Sequence, residues 1–411
     1  MGVPCTFTPA PLTLTTVPAQ AEKGRMTISP RDFTVGVEEE YQLVDARTGD
    51  LRSRARWVIA GDWSGEVKPE MQQHTIEVET GVCTGTNCVR DDLARLRLQA
   101  AIAAEAQGLR IVAAGMHPFS DPVGHPFTDR EVYAAIRDEY RELAETQSIF
   151  GMHVHVGVPG HLDRVRVANA ARHYLPMLLA LTASSPWSEG RDTGYCSFRT
   201  VIWRRWPRTG APPRFEDAAE FELLLKWLTE TQCIDTPGRL YWDLRPHHRY
   251  PTVEFRVQDV TPRLEDAIAA AALARAVVAG VAEGILREPA LPGSVAQALL
   301  GENSWRASRD GTEAVFVDVF SAQPRTVSAR DAVLGVAERL RPLAAGLGDA
   351  EALDGIAGVF ERGCAAARMR RVAEEVGGDL RRVTAWAADE TLLSLGLDRR
   401  SEQRLEETTV T

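Results

Sequence analysis

The sequence predicts an α+β fold in which strands and helices alternate before a helical C-terminal third. Four stretches place ionisable residues two apart with mostly small or apolar residues between them: Glu38 and Glu40, Glu77 and Glu79, His153 and His155, Glu254 and Arg256. Residues i and i+2 of a strand share a face, so each stretch reads as a strand with one ligand-rich face and one face fit for a core. After Pro262 the texture changes to Ala-rich periodic segments at 263–287, 294–309, 327–346, 350–373 and 378–395, which read as helices packed against the strands.

From Phe33 to Val44, Val35, Val37, Tyr41 and Leu43 share one face, and Gly36, Glu38, Glu40 and Gln42 share the other. Glu39 falls on the apolar face, which demands either a partner for it there or an end to the strand. Gln73 to Thr80 reads as a second strand with Ile76 and Val78 inward and Thr75, Glu77 and Glu79 opposite. Arg90 to Gly108 is an amphipathic helix ended by Gly108, and Leu109 to Ala114 a short buried strand. Arg130 to Thr146 reads as helix, followed by a strand at Gly151 to Gly157 in which Met152, Val154 and Val156 alternate with His153 and His155. Leu162 to Ala183 is helical with a kink expected at Pro176. Residues 184–215, rich in Ser, Gly, Pro, Trp and Arg, read as a long irregular loop, and such loops inside compact domains are usually functional or disordered. Its aromatic and Arg content favours function. Glu216 to Glu230 is a helix, Leu240 to Leu244 a short strand, and Thr252 to Val260 the fourth patterned strand, with Val253, Phe255 and Val257 inward.

At 411 residues with 44% apolar and 25% charged residues, the chain has the composition of a soluble globular protein. A formal charge of -10 argues against nucleic-acid or anionic-membrane binding, which needs a basic surface. No apolar run reaches the roughly 18 residues of a membrane span. The six cysteines are scattered with no C-x-x-C pair, so neither a zinc knuckle nor a disulfide framework is suggested, and a reduced cytoplasmic location is the economical reading. Residues 1–29, Thr- and Pro-rich at the start and without the pattern of a signal peptide, read as a disordered extension, with Met26 as an alternative start. Met1-Gly2 with Thr6 formally fits the myristoylation pattern, but its flanks read as unstructured leader. Residues 30–400 are then expected to form one domain, and 401–411 a disordered tail.

Glu38, Glu40, Glu77 and Glu254 are hard oxygen ligands suited to Mg²⁺ or Mn²⁺, and their number favours two or more ions. A single Glu on a strand is ordinarily a solvated residue; recurrence in four strands is what points to metal. His153 and His155 could instead serve zinc from one strand face, or simply be satisfied histidines beside glycines. A zinc hydrolase needs a third protein ligand, and the other candidates are almost all carboxylates. Arg256, together with Arg199, Arg204, Arg205 and Arg208 of the irregular segment, suits phosphate or carboxylate, so metal with Arg reads as a polyphosphate site. The alternative is a basic loop that only solubilises. P-loop and dinucleotide-binding glycine motifs are absent.

Taken in order, Gly36-Val-Glu-Glu-Glu-Tyr41, Glu70 followed by Ile76-Glu77 and Thr80, Gly151-Met-His-Val-His-Val156, Ser184-Ser-Pro186, Thr193-Gly194, Ser197 with Arg199, Val253-Glu-Phe-Arg256 and Asn303-Ser-Trp305 with Arg306 and Arg309 resemble the glutamate-cysteine ligase family 2. These are bacterial ATP-dependent carboxylate-amine ligases, relatives of glutamine synthetase. The resemblance implies a glutamine-synthetase-like fold, an antiparallel sheet shaped as a funnel and covered by helices, holding two or three Mg²⁺ or Mn²⁺ ions between ATP and an acid substrate. It assigns Glu38, Glu40, Glu70, Glu77, His153 and Glu254 to metal, places His155 towards the nucleotide, and gives Arg256 and Arg199 to phosphate oxygens. Glu79 has no role in that pattern. The implied chemistry is attack of a glutamate-like carboxylate on the ATP γ-phosphorus, giving an acyl phosphate that a cysteine-like amine displaces, with ADP and phosphate released. Glutamate-cysteine activity is often weak in the family, which also suggests a homodimer. Acyl phosphates hydrolyse, so water must be excluded, and the 184–215 segment is the expected lid. Two rival readings are a zinc metallohydrolase built on His153 and His155 and a non-catalytic binding protein on the same fold.

Overall fold

The computed structural model describes residue 29, residues 31–61, residues 64–393 and residue 395. All of the expected N-terminal extension except Ser29, the Met26 start and the expected 401–411 tail lie outside these residues. Seven strands form the main sheet: β1 (Val35–Asp45), β2 (Val67–Pro69), β3 (Thr75–Glu79), β4 (Leu109–Val112), β5 (Gly151–Gly157), β6 (Leu244–Pro246) and β7 (Thr252–Asp259). Their order is β6-β7-β5-β1-β3-β2, β4 pairs with the end of β1, and every pairing is antiparallel. The four patterned strands are thus the four central neighbours, β7, β5, β1 and β3.

The apolar face of the sheet carries the core. An apolar cluster that includes Phe33 and Ala388 joins the sheet to the C-terminal helices. At its centre the helix Leu264–Ala282, buried along nearly its whole length, packs on β1 and β5 and on the helices Thr86–Glu105 and Leu175–Thr182. Alanine dominates this helix because small side chains let neighbouring backbones approach. The larger Val and Leu side chains that close the layer each contribute about 1.5–3 kcal/mol through burial.

Glu39 is the polar residue on this apolar face, and the structure supplies its partner. Arg97, on the helix Thr86–Glu105, donates from Nε to Glu39 Oε2 at 2.9 Å and from Nη2 to Oε1 at 2.7 Å, while Tyr41 Oη donates to Oε2 at 2.5 Å. Arg97 also donates to the carbonyls of Thr261 and Pro262. Strand β1 therefore continues through Glu39, and the pair ties the sheet to the start of the C-terminal helices.

Several sequence expectations are corrected. The Leu162–Ala183 helix is two helices, Arg164–Ala171 and Leu175–Thr182, joined by a 3₁₀ turn at Arg172–Tyr174. Pro176 stands in the first turn of the second helix, where its missing N–H costs no hydrogen bond, so it starts a helix instead of kinking one. The Arg130–Thr146 helix breaks at Arg141, which has φ +52°. Residues 184–215 are not an irregular loop: they hold short strand pairings and the helix Phe198–Trp203. Their Ser184, Ser185 and Ser197 are buried against Asp259, which makes this part an anchored wall and removes the basis for a lid there. The helix Ala55–Gly61, strand β2 and the hairpin Val315–Val317 with Thr326–Ser328 were not foreseen, being too short to show a period. A disulfide joins Cys83 to Cys88, contrary to the expectation of none; it closes a five-residue step between the end of β3 and the following helix, a contact that spacing alone did not flag. Among the described residues no helix is long and apolar enough to cross a membrane.

Candidate active site

Register decides what the polar face presents. On β1, Glu38 stands opposite His153 of β5 on one side and Glu79 of β3 on the other; Glu40 stands opposite Glu77, and Glu254 of β7 opposite His155. The two-residue step on each strand is thereby converted into a two-dimensional floor. Glu38 sits at its middle: His153 Nδ1 lies 2.8 Å from Glu38 Oε2 and His155 Nε2 lies 2.9 Å from Oε1. Although burial pushes the Glu38 carboxyl up, these two imidazoles hold it well below the usual carboxylate range. The imidazoles differ. Burial and the nearby Arg256 push His153 down to about 4, whereas Glu38 and Glu254 outweigh burial and raise His155.

Glu40 accepts the backbone N–H of Gly151 at 2.5 Å. Together with Glu70, His153, Arg199 and Arg256 it lines a cavity of about 130 Å³ walled by the Trp203 and Tyr241 rings. Glu70 lies just beyond β2 and accepts from Tyr133 Oη at 3.1 Å. Burial and the charge of Glu70 raise Glu40 to about 7; burial also raises Glu70. Glu77 is pushed well above its ordinary value by burial and by the charges of Glu38, Glu70, Glu40 and Glu79.

Glu254 is enclosed by guanidinium groups. Arg245 of β6 donates to it from Nε at 2.7 Å and Nη2 at 3.3 Å, and Arg256 from Nη1 at 2.5 Å. Against the effect of burial, Arg256 and Arg245 hold its carboxyl below the usual range. Arg199 is buried, donates to the carbonyls of Val257 and Arg256 at 3.3 Å each and approaches Asp259 at 3.7 Å. Gly151 makes room for this arrangement: a Cβ there would lie 2.4 Å from Arg199 Nη2 and 3.2 Å from His153 Nε2.

All of the predicted site residues gather on this face or around its cavity. Among the described residues, three groupings offer ligand atoms within 4.8 Å of one another: Glu38 with His153 and Glu254; Glu38 with Glu77 and Glu79; His155 with His247 and Glu254. None unites His153 with His155, because the two rings bracket one carboxylate. The donor set suits hard divalent cations: three carboxyls, Glu40, Glu70 and Glu77, are raised in part by burial beside other acids, a strain that a bound dication relieves. Glu79, left without a role by the sequence, pairs with Lys68 of β2. Arg245, His247 and Asp259 were missed. Arg245 was legible in principle, since a hairpin that runs Leu244-Arg-Pro246, turns and returns at Thr252 sets it opposite Glu254. Asp259 was not: a bulge between Phe255 and Gln258 shifts the alternation before it.

The fold superposes on that of solved ligases. A bifunctional glutathione synthetase from Pasteurella multocida matches with a TM-score of 0.65 at 15% identity, covering 89% of this chain and 53% of that one. A glutamate-cysteine ligase from Francisella tularensis, solved in complex with AMP, matches with a TM-score of 0.63 at 11% identity, covering 91% and 94%. These two likenesses show that the chain has the fold shared by these two ligases, an antiparallel sheet covered by helices. The model of glutamate-cysteine ligase family 2 matches residues 34–385, and the chain belongs to that family, which makes it a carbon–nitrogen ligase. A relative in Herpetosiphon aurantiacus named "Putative glutamate--cysteine ligase 2" is 36% identical over 373 residues, covering 90% of this chain and 96% of the relative. One of the same name in Roseiflexus castenholzii is 41% identical over 293 residues, covering 70% and 76%.

Proposed function

We propose that the protein joins a glutamate-like carboxyl group to a cysteine-like amine at the expense of ATP, through an acyl phosphate, with release of ADP and phosphate. The observation that carries this reading is the convergence of Glu38, Glu40, Glu77, His153 and Glu254 from four adjacent strands on one face, with Glu70, Arg199 and Arg256 beside it. The names of the relatives and the AMP bound by the Francisella enzyme support the substrate classes.

Glu38, Glu40, Glu70, Glu77, His153 and Glu254 would hold two or three Mg²⁺ or Mn²⁺ ions. When bound, these ions supply positive charge to the polyphosphate and to the carboxylate that attacks it. Among the described residues the Nε atoms of Arg199 and Arg256 are buried without a hydrogen-bond partner, and in this reading they wait for phosphoryl oxygens, whose charge grows during transfer. Arg245 keeps Glu254 ionised as a carboxylate. His155 faces the nucleotide side, where its neighbour His247 borders a cavity of about 730 Å³. Trp203, Trp206, Tyr133 and Tyr241 line the smaller cavity and limit the water that could hydrolyse an acyl phosphate. The glutamate-cysteine pair is expected to turn over slowly.

The test is ADP release with ATP and Mg²⁺, crossing a panel of amino acids as acid donors with a panel of amines. Glu254→Gln and His153→Ala should abolish the release that the active pair stimulates, with an unchanged circular dichroism spectrum. Undiminished turnover in either variant would remove the metal assignment, and retention of stoichiometric zinc after purification would favour a hydrolase.

A further inference from the structure

A cavity of about 280 Å³ lies among the helices and shares no wall residue with the carboxylate floor or the cavity beside it. It is framed by the helices Leu175–Thr182, Gly293–Asp310 and Ala329–Leu347 and by the hairpin Val315–Val317 with Thr326–Ser328. Tyr174, Met177, Phe316 and Val336 are buried and give it an apolar wall, whereas Phe320, Gly335 and Arg339 are exposed and mark a mouth open to solvent. The volume stands at the lower end of ligand-sized cavities, roughly 300–1,000 Å³, and suits one aromatic ring with short substituents.

Two features of this wall are unexplained by packing. The first is Gly335, inside its helix. A Cβ there would meet nothing within 4 Å, so no close approach demands glycine, although alanine would serve the helix better. The glycine leaves the cavity open where a side chain would enter it. The second is His173. It is 5% exposed, and among the described residues neither Nδ1 nor Nε2 has a hydrogen-bond partner. Burial, with the neighbouring Arg172 cation, lowers the ring to about 3, so at neutral pH it carries one N–H to donate and one bare nitrogen to accept. Buried polar groups are ordinarily paired, and this one stands in the partition between the cavity and another bordered by Arg172. The other polar groups of the wall are engaged: Arg325 donates to Asp318 from Nε at 2.8 Å and from Nη2 at 2.5 Å, and Ser328 Oγ donates to Asp331 at 2.8 Å. Arg339 is the exception. Among the described residues its guanidinium makes no ion pair or hydrogen bond, and it lies within electrostatic reach of the Tyr174 hydroxyl.

We propose that this cavity is a second ligand site, separate from the carboxylate floor, for a small aromatic carboxylate with a hydroxyl group on its ring. The carboxylate pairs with Arg339 at the mouth, and the ring packs over Gly335 against Met177, Phe316 and Val336. The hydroxyl both donates and accepts, so it satisfies a His173 nitrogen whichever of the two bears the proton. Two of the framing helices lead to the candidate site. The helix Leu175–Thr182 runs on to Ser184, whose N–H donates to Asp259 at 2.9 Å, and Ser308 on the helix Gly293–Asp310 donates to the Ser197 carbonyl at 2.7 Å. An occupant therefore braces two supports of the wall that carries Arg199. This inference does not depend on which substrates the ligase uses.

The test is calorimetric titration of the full-length protein, without ATP or metal, with 4-hydroxyphenylacetate, phenylacetate and 4-hydroxyphenethyl alcohol. 4-Hydroxyphenylacetate should bind saturably at one site per chain. Phenylacetate, which lacks the hydroxyl, and the alcohol, which lacks the charge, should each bind about fivefold more weakly. His173→Phe and Arg339→Gln should each weaken 4-hydroxyphenylacetate by about the same factor, the first erasing its advantage over phenylacetate and the second its advantage over the alcohol. Gly335→Leu puts a side chain into the cavity from a good helix former, so it should abolish binding without lowering the melting temperature; it keeps the test decisive if His173→Phe does not fold. No saturable binding of 4-hydroxyphenylacetate with a dissociation constant below about 10 mM would show a cavity filled by water only and overturn the proposal. Binding that survives Gly335→Leu would overturn it too, by placing the ligand elsewhere, as would unchanged affinity in both His173→Phe and Arg339→Gln. Ligase turnover enters none of these readouts, so failure of the proposed reaction and failure of this site are told apart.

Discussion

Replacing Glu39 with Gln changes one atom pair at a site with no access to water, since the side chains of Glu39 and Arg97 are both fully buried. The wild-type carboxylate accepts three hydrogen bonds, two from Arg97 and one from Tyr41. A Gln amide offers one acceptor oxygen and turns an NH₂ group towards donors, so at least one charge-assisted bond is lost and the Arg97 charge is left uncompensated. Charge-assisted bonds contribute about 1.5–3 kcal/mol each, and breaking a buried ion pair by removing one partner costs about 3–5 kcal/mol. Against a total stability of about 5–15 kcal/mol the change is large. Urea unfolding followed by tryptophan fluorescence should show a midpoint lower by about 1 M or more, if the urea slope is about 3 kcal/mol per M. In a cycle with Arg97→Met the two losses should fail to add by about 2 kcal/mol, because the second substitution removes a charge the first has stranded. A Glu39→Gln variant within about 1 kcal/mol of wild type, or additive losses, would refute the assignment of this pair as the clamp that holds β1 to the C-terminal helices.

Three further outcomes are expected. Gly151→Ala should cut ligase turnover at least about tenfold while shifting the melting temperature little, because the new methyl displaces the Arg199 and His153 ends of flexible side chains from a cavity wall; full activity would show that neither is needed in place. Binding of Mg²⁺ should release protons at pH 7 and strengthen as pH rises through 7, since Glu40 is held near that value by burial and by Glu70 and must ionise to bind; calorimetry in buffers of different ionisation enthalpy measures this, and a heat independent of buffer would count against it. His117 donates from Nε2 to the Gly49 carbonyl, accepts the Phe119 and Ser120 N–H groups at Nδ1, and is lowered from 6.5 to about 4, chiefly by burial. Above pH 6.5 it is neutral in both states and adds no pH dependence; as pH falls from 6.5 to 4 the unfolded chain takes up a proton that the folded protein refuses, removing about 3 kcal/mol of stability. The stability difference between wild type and His117→Asn should shrink by that amount over the same window, and a constant difference would show that His117 does not titrate this way.

The polar alternation of β1, β3, β5 and β7 was legible because a strand repeats every two residues whatever it pairs with. The same local logic exposed Glu39 as a residue in need of a partner. It could not name Arg97, which comes from a helix in a later part of the chain, whereas Arg245 was within its reach through the hairpin that sets it opposite Glu254 but was passed over because its strand is only three residues long. Pro176 was misread because a proline that kinks a helix and one that begins it carry the same local signal. Asp259 was hidden by a bulge.

Composition and two-residue periodicity by themselves determined the α+β class, the four ligand-bearing strands and the acidic, metal-suited character of their shared face, since these properties belong to the backbone repeat and to side-chain chemistry. The tertiary structure decided strand order and register, and with them that Glu38 would sit between two imidazoles, that Glu254 would be enclosed by Arg245 and Arg256, and that Glu79 would pair with Lys68. Those outcomes depend on which distant segments lie within a few ångströms of one another. That proximity is set by packing of the whole apolar face against the helix Leu264–Ala282, and no local period encodes it.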